Sequence, residues 1–269
     1  MRVNSLKRRL EQGDVALGLF VFEFGTIGVT RIAESAGADF MLFDQEHTAW
    51  SRERMRALLA ACRASGIPSL VRVPVGQSHF IASALDAGAE GVVIPMVESE
   101  EQARQIVACA KYPPIGRRGF GLLYADEYLD GDISGTIEHY NREQIVVPQI
   151  ETLAGLENAE RIAAVDGVDM VWFGQFDLTV SLGIPGDFSH PDYAAAVQRV
   201  LEAAAAAGKP VGMCCSSFEQ ADDYTGRGFR CIAFDDISLL ESSMRTTVER
   251  TRAAASERLQ PLVSADDQV

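Results

Sequence analysis

Cysteine is scarce in this sequence and its spacing is irregular. Five cysteines occur among 269 residues, the count is odd, and none forms a C-x-x-C pair. This pattern argues against a disulfide framework and against zinc-finger spacing. We therefore expect a reducing, cytoplasmic setting and thiols that serve mainly as core packing.

Positive charge is also in short supply. The chain has 24 lysines and arginines against 38 acidic residues, a net charge of −14 and a pI of about 4.7. Nucleic acid and anionic membrane surfaces are therefore not expected as partners. No apolar run reaches membrane-spanning length, and the basic segment 1–10 has no uncharged apolar run after it. We predict a short N-terminal helix there, not a signal peptide or a membrane anchor.

Eight short apolar runs alternate with longer amphipathic stretches. The runs are almost continuously apolar, as strands buried on both faces should be. They begin at Ala16, Phe40, Ser69, Gly91, Ile145, Met170, Pro210 and Cys231. Glycines follow six of the predicted helices, where a left-handed C-cap is favoured: Gly37, Gly66, Gly88, Gly167, Gly208 and Gly228.

Eight βα units in one chain of this length predict an α/β fold, a single-domain (β/α)8 TIM barrel. An open doubly wound sheet is disfavoured because residues 23–28 make a poor phosphate-binding glycine turn. We expect the barrel, with an N-terminal and a C-terminal helix, to occupy residues 1–255 and a polar tail to occupy residues 256–269. The long connection 111–144 predicts a lid or a subunit contact.

Two carboxylates end consecutive predicted strands. Glu151 follows the fifth apolar run and Asp177 follows the sixth. Active sites of parallel barrels form at this rim, and a carboxylate pair suits a hard divalent cation with positions open for a bidentate 2-oxo acid. Each acid alone could simply cap the following helix, Asp177 as an N-cap and Glu151 within a first turn. The pair together predicts a site for Mg²⁺, Mn²⁺ or Co²⁺.

A histidine and an arginine are expected on the same rim. His47 follows Asp44 by three residues. Histidine as a residue type can exchange a proton near neutral pH, although His47 could be an ordinary loop residue. Arg72 lies in an apolar strand, where its charge is costly without an anion. It could stabilise an enolate, form a structural ion pair with Glu46, or do both. Asp86 could orient an imidazole or be a solvated acid at a helix end.

Seven short segments, in order along the chain, resemble the HpcH/HpaI aldolase family. The ordered set is highly specific, whereas single pieces such as the double proline are weak, and the resemblance runs from about Gly18 to about Val248. The segments are Asp44-Gln45-Glu46-His47, Val71-Arg72-Val73-Pro74, Ile94-Pro95-Met96-Val97, Tyr112-Pro113-Pro114, Arg118-Gly119, Gln149-Ile150-Glu151-Thr152 and Gly174 to Leu178.

The resemblance implies a metal-dependent barrel that reversibly cleaves 4-hydroxy-2-oxo acids. The products would be an aldehyde and pyruvate, or a close 2-oxo acid such as hydroxypyruvate. The family is commonly hexameric, with each site completed by a neighbouring subunit. By position, Glu151 and Asp177 match metal ligands. The implied catalytic set is His47 as base, Arg72 as transition-state stabiliser, Asp86 as support for the histidine, and Asp44; the implied substrate contacts are Arg72, Gln149, Gly174, Phe176 and Asp177.

One departure from the family pattern affects the expected substrate. The segment before the metal aspartate is usually Gly-Pro-small-Asp, but here Phe176 stands at the small position. We expect its ring to reshape the pocket. Three alternatives stay open: a 2-oxo-acid decarboxylase, an acyl-CoA lyase, and a non-catalytic metabolite-binding barrel. The chain has only three lysines, none in a predicted strand, which disfavours a Schiff-base mechanism.

Overall fold

The fold is a closed barrel of eight parallel strands. The computed structural model describes residues 2–121 and 132–258, and its strands pair in sequential order, with β8 returning to β1. The strands are β1 (Ala16–Val21), β2 (Phe40–Asp44), β3 (Ser69–Arg72), β4 (Gly91–Ile94), β5 (Ile145–Ile150), β6 (Val171–Phe173), β7 (Val211–Cys215) and β8 (Cys231–Asp235). All eight predicted strands are confirmed, and the fold is the predicted (β/α)8 TIM barrel.

Helices connect the strands and surround the barrel. In the described ranges they are α1 (Ser5–Glu11), α2 (Ile27–Ser35), α3 (Arg52–Ser65), α4 (Ser78–Asp86), α5 (Glu100–Ala110), α6 (Ile133–Glu143), α7 (Leu153–Glu157), α8 (Ala159–Ala163), α9 (Gln175–Ser181), α10 (Pro191–Ala206), α11 (Phe218–Arg227) and α12 (Asp236–Arg258). All six predicted C-capping glycines have positive φ. The predicted helix over 153–165 is divided at Asn158, and α6 was not predicted.

The apolar residues form two layers, as strands buried on both faces require. One cluster fills the barrel interior and includes Phe20, Leu42, Val93 and Trp172. The other lies between the strands and the surrounding helices. Leu6 of α1 belongs to the interior cluster, so α1 covers the N-terminal rim of the barrel. The C-terminal rim is left open for a site.

The cysteines are packing residues, as predicted. All five are free thiols, and four of them are buried. Burial raises the pKa of the Cys62 and Cys215 thiols to about 12, so neither is a thiolate at neutral pH. No helix of the described ranges is both long and apolar enough to cross a membrane.

The last helix, α12, has an exposed surface along nearly its whole length. Among its described residues only Asp236 is buried. Its exposed apolar side chains are Ile237, Leu239, Leu240, Met244 and Val248. The helix continues to Arg258, three residues beyond the predicted barrel limit at 255. The rest of the predicted tail, and residues 122–131 of the predicted lid or subunit contact, lie outside the described ranges.

Candidate active site

A cleft of about 380 Å³ opens at the C-terminal rim of the barrel. It brings together most of the residues that the sequence predicted for the site. These are His47, Arg72, Gln149, Glu151, Gly174, Phe176 and Asp177. Phe20, Phe22, Trp172, Gln175, Cys214, Ser216, Asp235 and Ser238 complete the lining.

Glu151 follows the last residue of β5, and its buried carboxyl group is held through both oxygens. Oε1 accepts the backbone N–H of Met96 at 2.7 Å, and Oε2 accepts the side-chain amide of Gln149. Met96 takes a left-handed φ of 56°, which is costly for a residue with a side chain. Burial raises the pKa of Glu151 to about 7, and Glu46 and Asp177 add to the rise. The carboxyl group is therefore fixed in a site that favours a bound positive charge.

Gly174 permits a close approach between the ends of β5 and β6. A Cβ atom at this position would lie 2.5 Å from Glu151 Oε2, 2.7 Å from Glu151 Cβ and 2.9 Å from Gln149 Nε2. Gly174 is also the N-cap of α9, so Asp177 lies in the first turn of that helix and is not its N-cap. Glu151 precedes Thr152, which caps α7 through its side chain. The capping alternatives therefore do not hold as they were stated: Asp177 is not an N-cap, and Glu151 precedes a helix and does not lie in its first turn.

The donor set fits a hard divalent cation. Glu151 and Asp177 line one cleft, and the charge of Asp177 adds to the rise in the pKa of Glu151, so a bound cation would relieve the repulsion between them. Among the residues that the structure describes, the buried Oε1 of Gln149 has no hydrogen-bond partner. Within the described ranges no three acidic, histidine or cysteine side chains cluster as a complete metal cage. Two carboxylates leave coordination positions for water and substrate, as Mg²⁺-type sites require.

Arg72 ends β3 and is fixed from two sides. Its Nε lies 2.6 Å from Asp44 Oδ1 and 3.2 Å from Glu46 Oε2. Its guanidinium carbon stands 4.9 Å from the ring centroid of Phe20 and 5.6 Å from that of Phe22. Arg72 therefore makes the expected ion pair with Glu46 and still lines the cleft.

Asp44 organises the turn that carries His47. Its Oδ1 also accepts the backbone N–H of Glu46 at 3.2 Å, and its Oδ2 accepts that of His47 at 2.8 Å. The His47 side chain is 60% exposed, with Nε2 3.6 Å from Glu46 Oε2. Burial raises the pKa of Glu46 to about 7, Arg72 opposes the rise, and Asp44 adds to it. The imidazole thus reaches the cleft from a constrained turn.

Asp86 is not brought to the cleft within one chain. It ends α4, and because that helix runs back towards the start of β4, it lies at the N-terminal rim. There Asp86 Oδ1 accepts Arg118 Nη2 at 2.5 Å, while Arg118 Nη1 donates to Gln144, just before β5. Its support for His47 stays a prediction that requires another subunit.

Sequence reasoning missed the polar wall formed by the ends of β7 and β8. This wall consists of Ser216, Asp235 and Ser238. Asp235 is an acid directly ending an apolar run, which is the same signal that identified Glu151. The next residue, Asp236, accepts the backbone N–H groups of Phe22, Glu23 and Phe24 at 2.8–3.0 Å, so it fixes the loop beneath Arg72.

Phe176 lies at the mouth of the cleft. Phe176 is 61% exposed, and its ring packs edge to face on Phe188 with centroids 5.4 Å apart. Phe188 in turn contacts Tyr193 on α10. Phe176, which departs from the family pattern, thus belongs to a row of three packed aromatic side chains at the rim.

The chain is similar to known aldolases over most of its length. Residues 17–239 match the family model described as HpcH/HpaI aldolase/citrate lyase. The hydroxypyruvate/pyruvate aldolase of Roseovarius nubinhibens is 34% identical over 246 residues, covering 90% of this chain and 95% of the relative. The 2-keto-3-deoxy-L-rhamnonate aldolase of Klebsiella pneumoniae is 34% identical over 209 residues, 78% of each chain.

A solved structure supports the same assignment. The crystal structure of an HpcH/HpaI aldolase from Desulfitobacterium hafniense has a TM-score of 0.87 and 29% identity, covering 95% of this chain and 98% of that one. The barrel fold, the residues that line the cleft and the similar proteins all indicate the same family. The chain is a carbon–carbon lyase that belongs to the HpcH/HpaI aldolase/citrate lyase family.

Proposed function

We propose that this protein is a divalent-metal-dependent aldolase that cleaves a 4-hydroxy-2-oxo acid to an aldehyde and pyruvate or hydroxypyruvate. The observation that carries the proposal is the convergence of Glu151, Asp177, Arg72 and His47 on one cleft. The activities of two relatives, a hydroxypyruvate/pyruvate aldolase and a 2-keto-3-deoxy-L-rhamnonate aldolase, support the 2-oxo acid product. Mg²⁺, Mn²⁺ and Co²⁺ are the candidate cations, and Glu151 and Asp177 would hold the ion.

Side chains of this protein would stabilise the negative charge that develops on the enolate. A bound divalent cation supplies Lewis acidity at the 2-oxo group. Arg72 is held by Asp44 and Glu46, so it presents a preorganised cation to the developing enolate oxygen. Gln149 and the backbone near Gly174 and Phe176 would contact the 2-oxo acid.

His47 is assigned the proton transfer. In cleavage, its imidazole takes the proton from the 4-hydroxyl group, the bond between C3 and C4 breaks, and the electron pair passes to the enolate. The enolate then takes up one proton at C3 to give the 2-oxo acid product, and the His47 imidazolium gives up one, which restores the base. Asp86 of a neighbouring subunit is the proposed support for the imidazole.

The lysines support a mechanism without a Schiff base. Lys7 pairs with Asp169, and Lys111 donates to the carbonyl of Gln144, both at the N-terminal rim. Lys209 precedes β7 at the same rim. None of these lysines lines the cleft.

Metal removal tests the proposal directly. We expect chelated protein to lose aldol cleavage and added Mn²⁺ to restore it. Glu151→Gln and Asp177→Asn should lose both metal binding by calorimetry and activity, whereas Asp192→Asn, on the surface of α10, should keep both. Full cleavage by the chelated protein would contradict the metal role. Release of CO₂ or cleavage of an acyl-CoA without aldol activity would favour the alternative lyases, and binding without turnover would favour a regulator.

We further propose a cytoplasmic homo-oligomer, a hexamer by family resemblance. Free thiols support the reducing location, and the apolar residues exposed along α12 support a subunit contact. Light scattering should give about six chains per particle. Leu240→Glu together with Met244→Glu should dissociate that particle, and a monomeric wild-type protein would contradict the proposal.

A further inference from the structure

We propose that Ser181 is a positioning residue for the metal site, because it holds the helix that carries Asp177 against the helix that follows Glu151. The inference rests on the proposed metal-dependent function and deepens it. Ser181 lies outside the described lining of the cleft, so it would act on a bound ion only through the two carboxylates.

A hydrogen bond joins the two helices. The backbone N–H of Leu153 donates to Ser181 Oγ at 2.9 Å. Leu153 is the first residue of α7 and lies two positions after Glu151, while Ser181 is the last residue of α9 and lies four positions after Asp177. The first N–H groups of a helix have no acceptor within that helix, so the N–H of Leu153 is available to the serine. The bond thus connects the segments next to both proposed ligands.

Asp177 lies between two contacts that hold α9 near the end of β5. Residues four apart on a helix share one face, so the face that turns Ser181 towards α7 also carries Asp177. Before Asp177, the N–H of Gly174 donates to the carbonyl of Ile150 at 3.0 Å. After Asp177, Ser181 makes the second contact. Loss of the Ser181 bond leaves the last turn of α9 free to move away from α7.

This restraint matters because the two carboxylates repel each other in the absence of a cation. The charge of Asp177 adds to the rise in the pKa of Glu151. Asp177 is exposed, so packing around its own side chain does not hold it in place. A cation binds more tightly when its ligands are held at the required separation before it arrives. The Ser181 bond should therefore increase the metal affinity.

Four variants test the bond from both of its ends. Ser181→Ala removes the acceptor. Leu153→Pro removes the donor, and proline is well tolerated at the first position of a helix. Leu153→Ala keeps the N–H and controls for loss of the leucine side chain. Ser51→Ala removes a bond of the same kind, from the N–H of Arg54 to Ser51 Oγ at 3.1 Å, at the start of α3 and across the barrel from β6.

The measurements are the Mn²⁺ affinity by calorimetry and, separately, the melting temperature of the metal-free protein. We expect Ser181→Ala and Leu153→Pro each to weaken Mn²⁺ binding about threefold to tenfold, the effect of one hydrogen bond. The double variant should bind no more weakly than the weaker single variant, because both changes remove the same bond. Leu153→Ala and Ser51→Ala should bind Mn²⁺ as the wild type does.

A merely structural bond would give a different result. Wild-type Mn²⁺ affinity in a folded Ser181→Ala, even with a lower melting temperature, overturns the inference while leaving the metal-dependent function intact. Losses that add in the double variant also overturn it, since the two changes would then act separately. Failure of the wild-type protein to bind Mn²⁺ overturns both the inference and the proposed metal dependence.

Discussion

The Nε of Arg72 lies 2.6 Å from Oδ1 of Asp44, and both side chains are almost completely buried. The pair joins the ends of two neighbouring strands, since Asp44 and Arg72 are partners in the register of β2 and β3. Glu46 approaches the same Nε from the following turn. The guanidinium group is therefore fixed before substrate arrives, which is the condition for electrostatic stabilisation of a transition state.

Arg72→Lys should lower kcat much more than it raises KM. Lysine keeps a charge but lacks the Nε that contacts Asp44 and Glu46, so its ammonium group would not be held in place. The loss should be about 10²–10³ in kcat, the usual effect of removing one transition-state donor. Steady-state kinetics with a saturating metal measures this, and normal turnover in a less stable protein would mean that Arg72 is structural.

His47→Ala should abolish aldol cleavage while leaving metal and pyruvate binding intact. The imidazole is exposed and contacts no proposed metal ligand, so its removal should not disturb Glu151 or Asp177. The pH profile of kcat/KM is the informative measurement, since its acidic limb should change in the variant. His79→Ala, on α4, is the matched control. An unchanged rate and profile would assign the proton transfer to another group.

Gly174→Ala should weaken metal binding without unfolding the barrel. The added Cβ would meet the Glu151 carboxylate and the Gln149 amide, and both must move to accept it. We expect a metal affinity reduced by about 10–100-fold, as for changes beside metal ligands, with a melting temperature close to that of the wild type. Gly226→Ala, where a Cβ meets nothing within 4 Å, is the control.

The metal-free protein should lose stability as pH rises from about 4.5 to about 7. Burial raises the folded-state pKa of Glu46 to about 7 from an ordinary value of 4.5, so the folded state holds a proton that the unfolded state has released. Above pH 7 this contribution is constant. In the presence of a chelator, the melting temperature should fall less steeply with rising pH for Glu46→Gln than for the wild type or for the control Glu202→Gln. Identical slopes would mean that Glu46 is ionised in the folded state throughout.

Much of this architecture is predictable from local sequence. Apolar runs and C-capping glycines place all eight strands, because each signal depends on a few adjacent residues. The division of 153–165 was not predicted, since that stretch contains no proline and its only glycine lies inside α7. The geometry of the site depends on contacts between residues that are far apart in the sequence. The hydrogen bond from the N–H of Met96 to Glu151 and the hydrogen bond from the loop after β1 to Asp236 both form only when the barrel closes. The ion pair of Asp86 likewise depends on a distant residue, Arg118, 32 positions away.

Phe176→Ala should widen the mouth of the cleft and favour longer aldehydes or 2-oxo acids. The ring lines the cleft and packs on Phe188, so truncation removes one side of the rim without disturbing a buried core. We expect the ratio of kcat/KM for a long substrate to that for a short one to rise roughly tenfold. One methylene group in a hydrophobic pocket contributes roughly 1–3 kcal/mol to substrate discrimination, and a tenfold change lies in this range. The measurement compares a series of unbranched aldehydes of increasing length, then 2-oxo acids of increasing size. Phe218→Ala, another exposed phenylalanine on α11, supplies the control, because it should leave the series unchanged. Identical selectivity in the Phe176 variant and the wild type would mean that the ring leaves the substrate path free, and that size selection belongs to Phe20 or Cys214 deeper in the cleft.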